Sequence, residues 1–169
     1  MKSIFLLALF FGILSSCNTH QTSAPPPAVD WSKKTATIAN TDSLQNGATY
    51  LSVYSHIYAL SEKRTSDLTV TISMRNTSQT DTLFIAKAEY FDTHGKSVKN
   101  YIDKPIFLTP METVEIIIEQ NDASGGSGAN FLFDWMIKQS APEPLFEAVM
   151  ISTSGGQGLS FTTQGKRIK

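Results

Sequence analysis

From Tyr50 to the end of the chain, apolar and polar residues alternate with a period of two, in short runs separated by turn residues. Successive side chains of a strand point to opposite faces, so this period predicts strands with one side buried. The first run covers Tyr50 to Tyr58, with Leu51, Val53 and Ile57 on one side and Tyr50, Tyr54 and Tyr58 on the other. The charged stretch from Ser61 to Ser66, which holds Lys63 and Arg64, reads as the loop that ends it. In the second run Leu68, Val70, Ile72 and Met74 alternate with Thr69, Thr71, Ser73 and Arg75, the pattern of a sheet with one wet face. Further runs follow at Leu83 to Phe91, Ser97 to Ile102, Val114 to Glu119, Phe131 to Ile137, Leu145 to Ser152 and Leu159 to Thr162. No helical period of useful length interrupts them. About seven short strands with polar turns predict an all-β fold, an immunoglobulin-like antiparallel β-sandwich, with a small closed barrel as the alternative. Phe131, Phe133, Trp135 and Ile137 form the row expected to fill its core.

The beginning of the chain has a different character. Lys2 precedes an apolar segment from Ile4 to Ile13, and Leu14-Ser15-Ser16-Cys17 follows. A short basic start, an apolar core and small residues before a cut site describe a secretory signal, and the segment is too short for a bilayer-spanning helix. An aliphatic, two small residues and a cysteine resemble a bacterial lipobox, which makes residues 1–16 a signal peptide and Cys17 the lipidated first residue. Residues 17–48 are then expected to be a flexible tether, rich in Thr, Ser, Asn and Pro, with Pro25-Pro26-Pro27 as a semi-rigid spacer. Residues 49–169 are expected to be the domain. Trp31 is the odd residue of the tether, placed to dock on the domain or to sit at the lipid interface. Asn18 after the cysteine, rather than Asp, resembles sorting to the outer membrane in enterobacteria. The expected address is therefore the cell envelope, lipid-anchored, on the outer membrane facing the periplasm.

Composition narrows the options. Loss of Lys2 with the signal makes the formal net charge of −1 one unit more negative, so there is no basic footprint for nucleic acid. Cys17 is the only cysteine, which leaves no disulfide, cysteine nucleophile or thiolate metal site within the domain. Stability has to come from packing.

Tyr50-Leu51, the stretch from Val53 to Tyr58, Leu68 to Thr71, Arg75 to Thr77, Tyr90-Phe91-Asp92, Gly95-Lys96, Ser124 to Phe131, Glu147 to Met150 and Ser160-Phe161 form a further pattern. It resembles a family of bacterial exported proteins and lipoproteins of unknown function, a domain of unknown function with an SGGSGANF motif. The similarity spans nearly all of Tyr50 to Lys169, and Ser52 departs from it by standing where the family has proline. The resemblance implies one exported domain and brings no activity with it.

The chemistry-bearing residues are few. Gly125, Gly126, Ser127 and Gly128 lack the Lys-Ser or Lys-Thr and the following helix of a phosphate loop. Around Ser127 the Gly-x-Ser-x-Gly of a nucleophile elbow fails at Ala129. What remains is a ligand loop, in which glycines let backbone amides approach a partner, or a glycine-built turn. His20, His56 and His94 have no metal-ligand spacing, and Asp92, Asp103 and Asp122 are too scattered for calcium. No cofactor or metal is called for. Strand parity puts the glycine loop at the same end as the loop of Gly156 and Gln157, the His94 turn and the Lys63-Arg64 loop, with Asp122 near them and the tether entering opposite. That end is the candidate patch for a ligand or partner, or only turns gathered by topology. The expected function is a non-enzymatic binding or structural module, its partners the membrane through the N-terminal lipid and an envelope protein or polymer. An envelope-polymer hydrolase and a carrier of apolar cargo are the alternatives; the first needs an acid/base pair in a cleft and the second an open apolar groove.

Overall fold

The computed structural model describes residues 29–38, 43–153 and 158–169, and within them the chain forms twelve strands and no long helix. The strands are β1 Leu44–Ser52, β2 His56–Ala59, β3 Ser61–Asp67, β4 Thr69–Arg75, β5 Leu83–Phe91, β6 Ser97–Asn100, β7 Ile106–Leu108, β8 Thr113–Ile118, β9 Asn130–Lys138, β10 Leu145–Ser152, β11 Leu159–Gln164 and β12 Lys166–Arg167. One sheet runs β12-β1-β9-β5-β6, with β7 also paired to β5; the other runs β11-β10-β4-β8; β2 and β3 form a separate hairpin. Every pairing is antiparallel. The two larger sheets pack face to face as the sandwich that the alternation predicts.

The middle of the core belongs to β9. Its Phe131, Phe133, Trp135 and Ile137 are all buried, as their spacing requires. Tyr90 of β5 stacks on Phe131 (centroids 4.9 Å apart), Phe131 on Phe133 (5.5 Å), and Phe146 reaches across from β10 to stack on Phe133 at 4.4 Å. Such offset ring pairs add to the large area that the rings already bury. Trp135 donates its indole N–H to the Thr49 hydroxyl (2.9 Å), so the polar edge of the ring is satisfied inside the core. Gly47 stands directly opposite Trp135 in the β1–β9 register, and a Cβ there would lie 2.1 Å from the ring.

Three expectations about chain organisation are corrected. First, the domain does not begin at residue 49. β1 starts at Leu44, with Gly47 and Ala48 buried, and Val29 and Trp31 pack against the core. Thr35 bridges to Ile106, Ala36 N–H donates to the Pro105 carbonyl (2.7 Å), and Lys34 pairs with Glu112 while lying over the Phe107 ring (5.3 Å). Trp31 therefore docks on the domain. Second, the Ser61 to Ser66 stretch is a strand, because its backbone bonds to β2 from His56↔Asp67 to Ala59↔Ser61. Both faces of that hairpin are largely wet, so it leaves no apolar alternation to read. Third, the basic tail is partly a strand. Gly165 donates to the Phe146 carbonyl (2.8 Å), the chain changes sheets there, and β12 pairs with β1 at Thr49↔Arg167 and Tyr50↔Lys166.

Trp135→Ala should cost about 3–5 kcal/mol, a large share of a stability of about 5–15 kcal/mol. Gly47→Ala should cost about 1–3 kcal/mol by overpacking the same ring. Urea denaturation checks both, and a loss under about 1 kcal/mol for Trp135→Ala would overturn the core assignment.

Candidate functional site

At one end of the sandwich β1, β5, β8 and β10 finish and β4 and β9 begin, as the pairs Ser52↔Asn130, Phe91↔Asn130, Ile151↔Thr69 and Val70↔Ile118 require. The chain crosses between the sheets twice here, through Val53 to Leu68 and through Glu119 to Ala129. Each crossing would leave backbone groups unpaired, and the two supply each other's partners. Val53 N–H donates to the Ala129 carbonyl and Ser55 N–H to the Gly126 carbonyl, both at 3.0 Å. Thr93, in the turn after β5, closes the arrangement from the other side. Its N–H and hydroxyl both donate to the Gly125 carbonyl (2.9 and 3.0 Å), and its hydroxyl oxygen accepts from Gly128 N–H (2.9 Å).

The glycines are dictated by what touches them. A Cβ on Gly125 would stand 1.8 Å from the Tyr90 hydroxyl oxygen, and Gly126 holds φ at +77° with the Thr93 hydroxyl 2.6 Å from the Cβ position. The Tyr90 hydroxyl is paired with the buried Ser55 hydroxyl at 2.9 Å. Gly126 N–H is spent on the Ala123 carbonyl and Gly128 N–H on Thr93, so neither amide is free to cradle an anion. Asp122 caps the approach to the loop by accepting from Ser124 N–H (3.0 Å). Asp92 accepts from His94 N–H and Lys96 N–H, both at 2.9 Å. The Lys96 amide first, and the His94 amide and neighbouring cations after it, hold the Asp92 carboxyl below its usual range against some burial. Burial raises the Tyr90 hydroxyl, opposed by the bond to Ser55 and reinforced by Asp122 and Asp92. Burial, with Asp122 and Tyr90 adding, pushes the neighbouring Tyr101 hydroxyl up to about 12.

The structure therefore brings Gly125, Gly126, Ser127, Gly128, Asp122 and the His94 turn together, with His94 itself exposed. Lys63 and Arg64 lie on the same side of the fold but further out, exposed near the tip of the β2–β3 hairpin and beyond its last regular pair, Tyr58↔Thr65. Gly156 and Gln157, like Cys17, lie outside the described residues; the strands on either side of them meet at this end, with Ser152 paired to Leu159. Sequence reasoning missed Thr93, Tyr90 and Ser55, whose roles are long-range hydrogen bonds that leave no local signal. It named Lys63 and Arg64 but missed the apolar residues of the hairpin tip. There Tyr58 is 61% exposed and Leu60, at φ +67°, is 93% exposed. A groove at the opposite end is lined by Leu44, Asp81, Phe84 and Lys138. Its acid, Asp81, is ion-paired to Lys138 (3.3 Å). Among the described residues no group of three His, Cys, Asp or Glu is placed to hold a metal ion.

Fold and site together define an all-β sandwich module whose distinctive end is a projecting hairpin rooted in a glycine lock, a surface rather than a cleft. The chain belongs to the family described as protein of unknown function (DUF3124), whose model matches residues 46–168. No curated protein matches the sequence. Among solved structures, the crystal structure of Thermotoga maritima 1070 is similar at a TM-score of 0.45 and 9% identity, over 71% of this chain and 92% of that one.

Gly125→Ala should destabilise the protein by about 1–3 kcal/mol and speed amide exchange through Val53 to Ser55 as well as through the loop. Exchange changes confined to the loop would sink the mutual-pairing account. Tyr101 gives a second check. Its pKa is raised in the fold, so its contribution is fully present below the unfolded value of about 10 and is lost as pH rises towards about 12. Tyr101→Phe should accordingly flatten the fall in stability across that window, measured by urea denaturation at stepped pH.

Proposed function

We propose that the protein is a lipid-anchored module of the bacterial cell envelope, held through Cys17, that binds an envelope protein or polymer with the β2–β3 hairpin and catalyses no reaction. The observation that carries this reading is Leu60, which combines a left-handed backbone with almost complete exposure. A leucine in that conformation costs roughly 1–2 kcal/mol, and burial does not offset it here. Met111 also has a positive φ of 62°, but its amide donates to the Ser78 carbonyl (3.0 Å) and ties that turn to the body. Leu60 instead stands at a tip, beside exposed Tyr58 and the cations Lys63 and Arg64. Strained, exposed apolar residues on a rigid support suit a contact with a partner. The support is the glycine lock, which fixes the hairpin root at Ser55 and Leu68, the latter donating its N–H to the Ser55 carbonyl (2.9 Å).

The other two classes find less support. At this end Asp92 and Asp122 are occupied in shaping turns, which speaks against their serving as the acid/base pair of a hydrolase. Apolar cargo would need room between the sheets, where Phe131, Phe133 and Phe146 stack instead. The anchoring half rests on Leu14 to Cys17, and Asn18 favours the outer membrane, with the hairpin end turned away from the lipid.

A photo-crosslinker at Tyr58 in the native envelope should capture a discrete partner, and one at Met111, at the other end, should not. Leu60→Ser or charge reversal at Lys63 and Arg64 should abolish the capture. Equal capture from both ends would overturn the hairpin reading. Separately, Cys17→Ser should remove fatty-acid labelling and leave the chain uncut before residue 17; equal labelling of the variant would refute the anchor.

A further inference from the structure

β8 is the outer strand of the four-stranded sheet, and among the described residues its far side carries no strand. It pairs with β4 from Arg75↔Thr113 to Val70↔Ile118 without a bulge and contains no proline. Among the described residues no other strand pairs with it. Other edges differ from it: β6 is only four residues long and is paired across a bulge. β11 turns at Gly165 into β12 and so into the other sheet, and the Thr35-Ala36 segment bonds along Pro105 and Ile106. On the outer face β8 presents Glu115, Ile117 and, just past its end, Glu119. Ile117 is 51% exposed, and a strip through Thr71 connects it with exposed Val149 and Ile151.

We propose that β8 is a docking edge for an extended segment of another protein, which adds as the next strand and carries a basic, an apolar and a basic residue at alternate positions. Main-chain hydrogen bonds to an open edge supply the affinity in this mode, and the alternate side chains supply the selectivity. An apolar residue beside Ile117 extends the strip already formed with Val149, while basic residues beside Glu115 and Glu119 make favourable cross-strand pairs. Charge complementarity also excludes the other occupants. A second copy pairing antiparallel about Ile117 sets Glu115 against Glu119, and like charges directly opposite destabilise. Residues 1–28 hold a single Lys, Lys2, and no Arg, and Pro25-Pro26-Pro27 have no N–H to give a ladder. Two glutamates of one sign thus discourage self-pairing along this edge, as charged edges generally do, and admit a basic strand.

The probe is a capped seven-residue peptide with lysine, valine and lysine at its second, fourth and sixth positions and threonine elsewhere. It is added to the full-length protein in detergent and read by amide hydrogen exchange. With the peptide at about four times its Kd, exchange in 113–119 should slow about five-fold. The hairpin, 56–67, should not change, which separates this test from that of the hairpin reading. The same peptide with glutamate for lysine should give no protection to the native protein, and Glu115→Lys with Glu119→Lys should reverse the preference. Ile117→Lys should abolish protection while β4 and β9 keep theirs, which shows that the variant is folded. The proposal is overturned by absence of protection at millimolar peptide, by equal protection from the glutamate peptide, or by protection centred outside β8. Slowed exchange of β8 that rises with protein concentration alone would overturn it in favour of a second copy.

Discussion

The volume of the aromatic row on β9 is the constraint to which the rest of the fold accommodates. With no disulfide available, the sandwich is held by what packs between its sheets, and three rings from one strand together with Tyr90 and Phe146 occupy that space. Neighbouring positions have to yield room. Gly47 yields it to the Trp135 ring and Gly125 to the Tyr90 hydroxyl, each where a methyl group would sit inside the ring's own atoms. Close packing transmits such demands, because an interior at crystal-like density has no slack to absorb one methylene. The glycine loop is thus connected to the core through one tyrosine. Its conformational freedom is needed at Gly126, while at Gly125 the need is simply for space.

The same contact links stability to the candidate site. Tyr90 lies in the core with its hydroxyl at the core's edge, where Ser55 meets it, and Ser55 is the residue from which the hairpin springs. The projecting arm is a two-stranded ribbon, a structure of marginal stability by itself. Its root is fixed by bonds to the glycine loop, and the loop is fixed by Thr93 from the β5–β6 turn. Loops that carry function are commonly variable elements on a rigid scaffold. Here the glycines and Thr93 serve the scaffold, and Tyr58, Leu60, Lys63 and Arg64 are exposed on the arm. The two surfaces inferred for binding differ in kind. One is an arm whose exposed Leu60 has a left-handed backbone, the other an edge strand with no neighbour on its far side among the described residues.

Strand positions were legible wherever one face is buried and the other wet, since burial then writes a period of two directly into the text. β4, β8, β9 and β10 are of this kind, with β9 buried at every second residue. β3 was not legible, because its partner is only β2 and neither face is sealed, so Glu62, Lys63 and Arg64 resemble any charged loop. Nor was the beginning of β1, where Gly47 and Ala48 carry too little side chain to show a pattern although both are buried. The glycine motif stood out as a motif, yet its cause did not, since Tyr90, Ser55 and Thr93 lie 32 or more residues away from their partners or from one another in chain contacts that no local spacing encodes.

By itself the sequence determined the all-β class, the inward row from Phe131 to Ile137, and the end of the sandwich at which the glycine loop and the His94 turn gather. These follow from local periodicity and from the parity of antiparallel strands, quantities that a chain carries along its own length. Only the tertiary structure decided that the Gly126 and Gly128 amides are spent on Ala123 and Thr93 rather than left for a ligand, that the charged stretch stands out as a hairpin arm, that Trp31 docks, and that β8 has no strand on its far side among the described residues. Those outcomes depend on which distant backbone groups find partners, and hydrogen bonding across a sandwich is settled when the sheets meet.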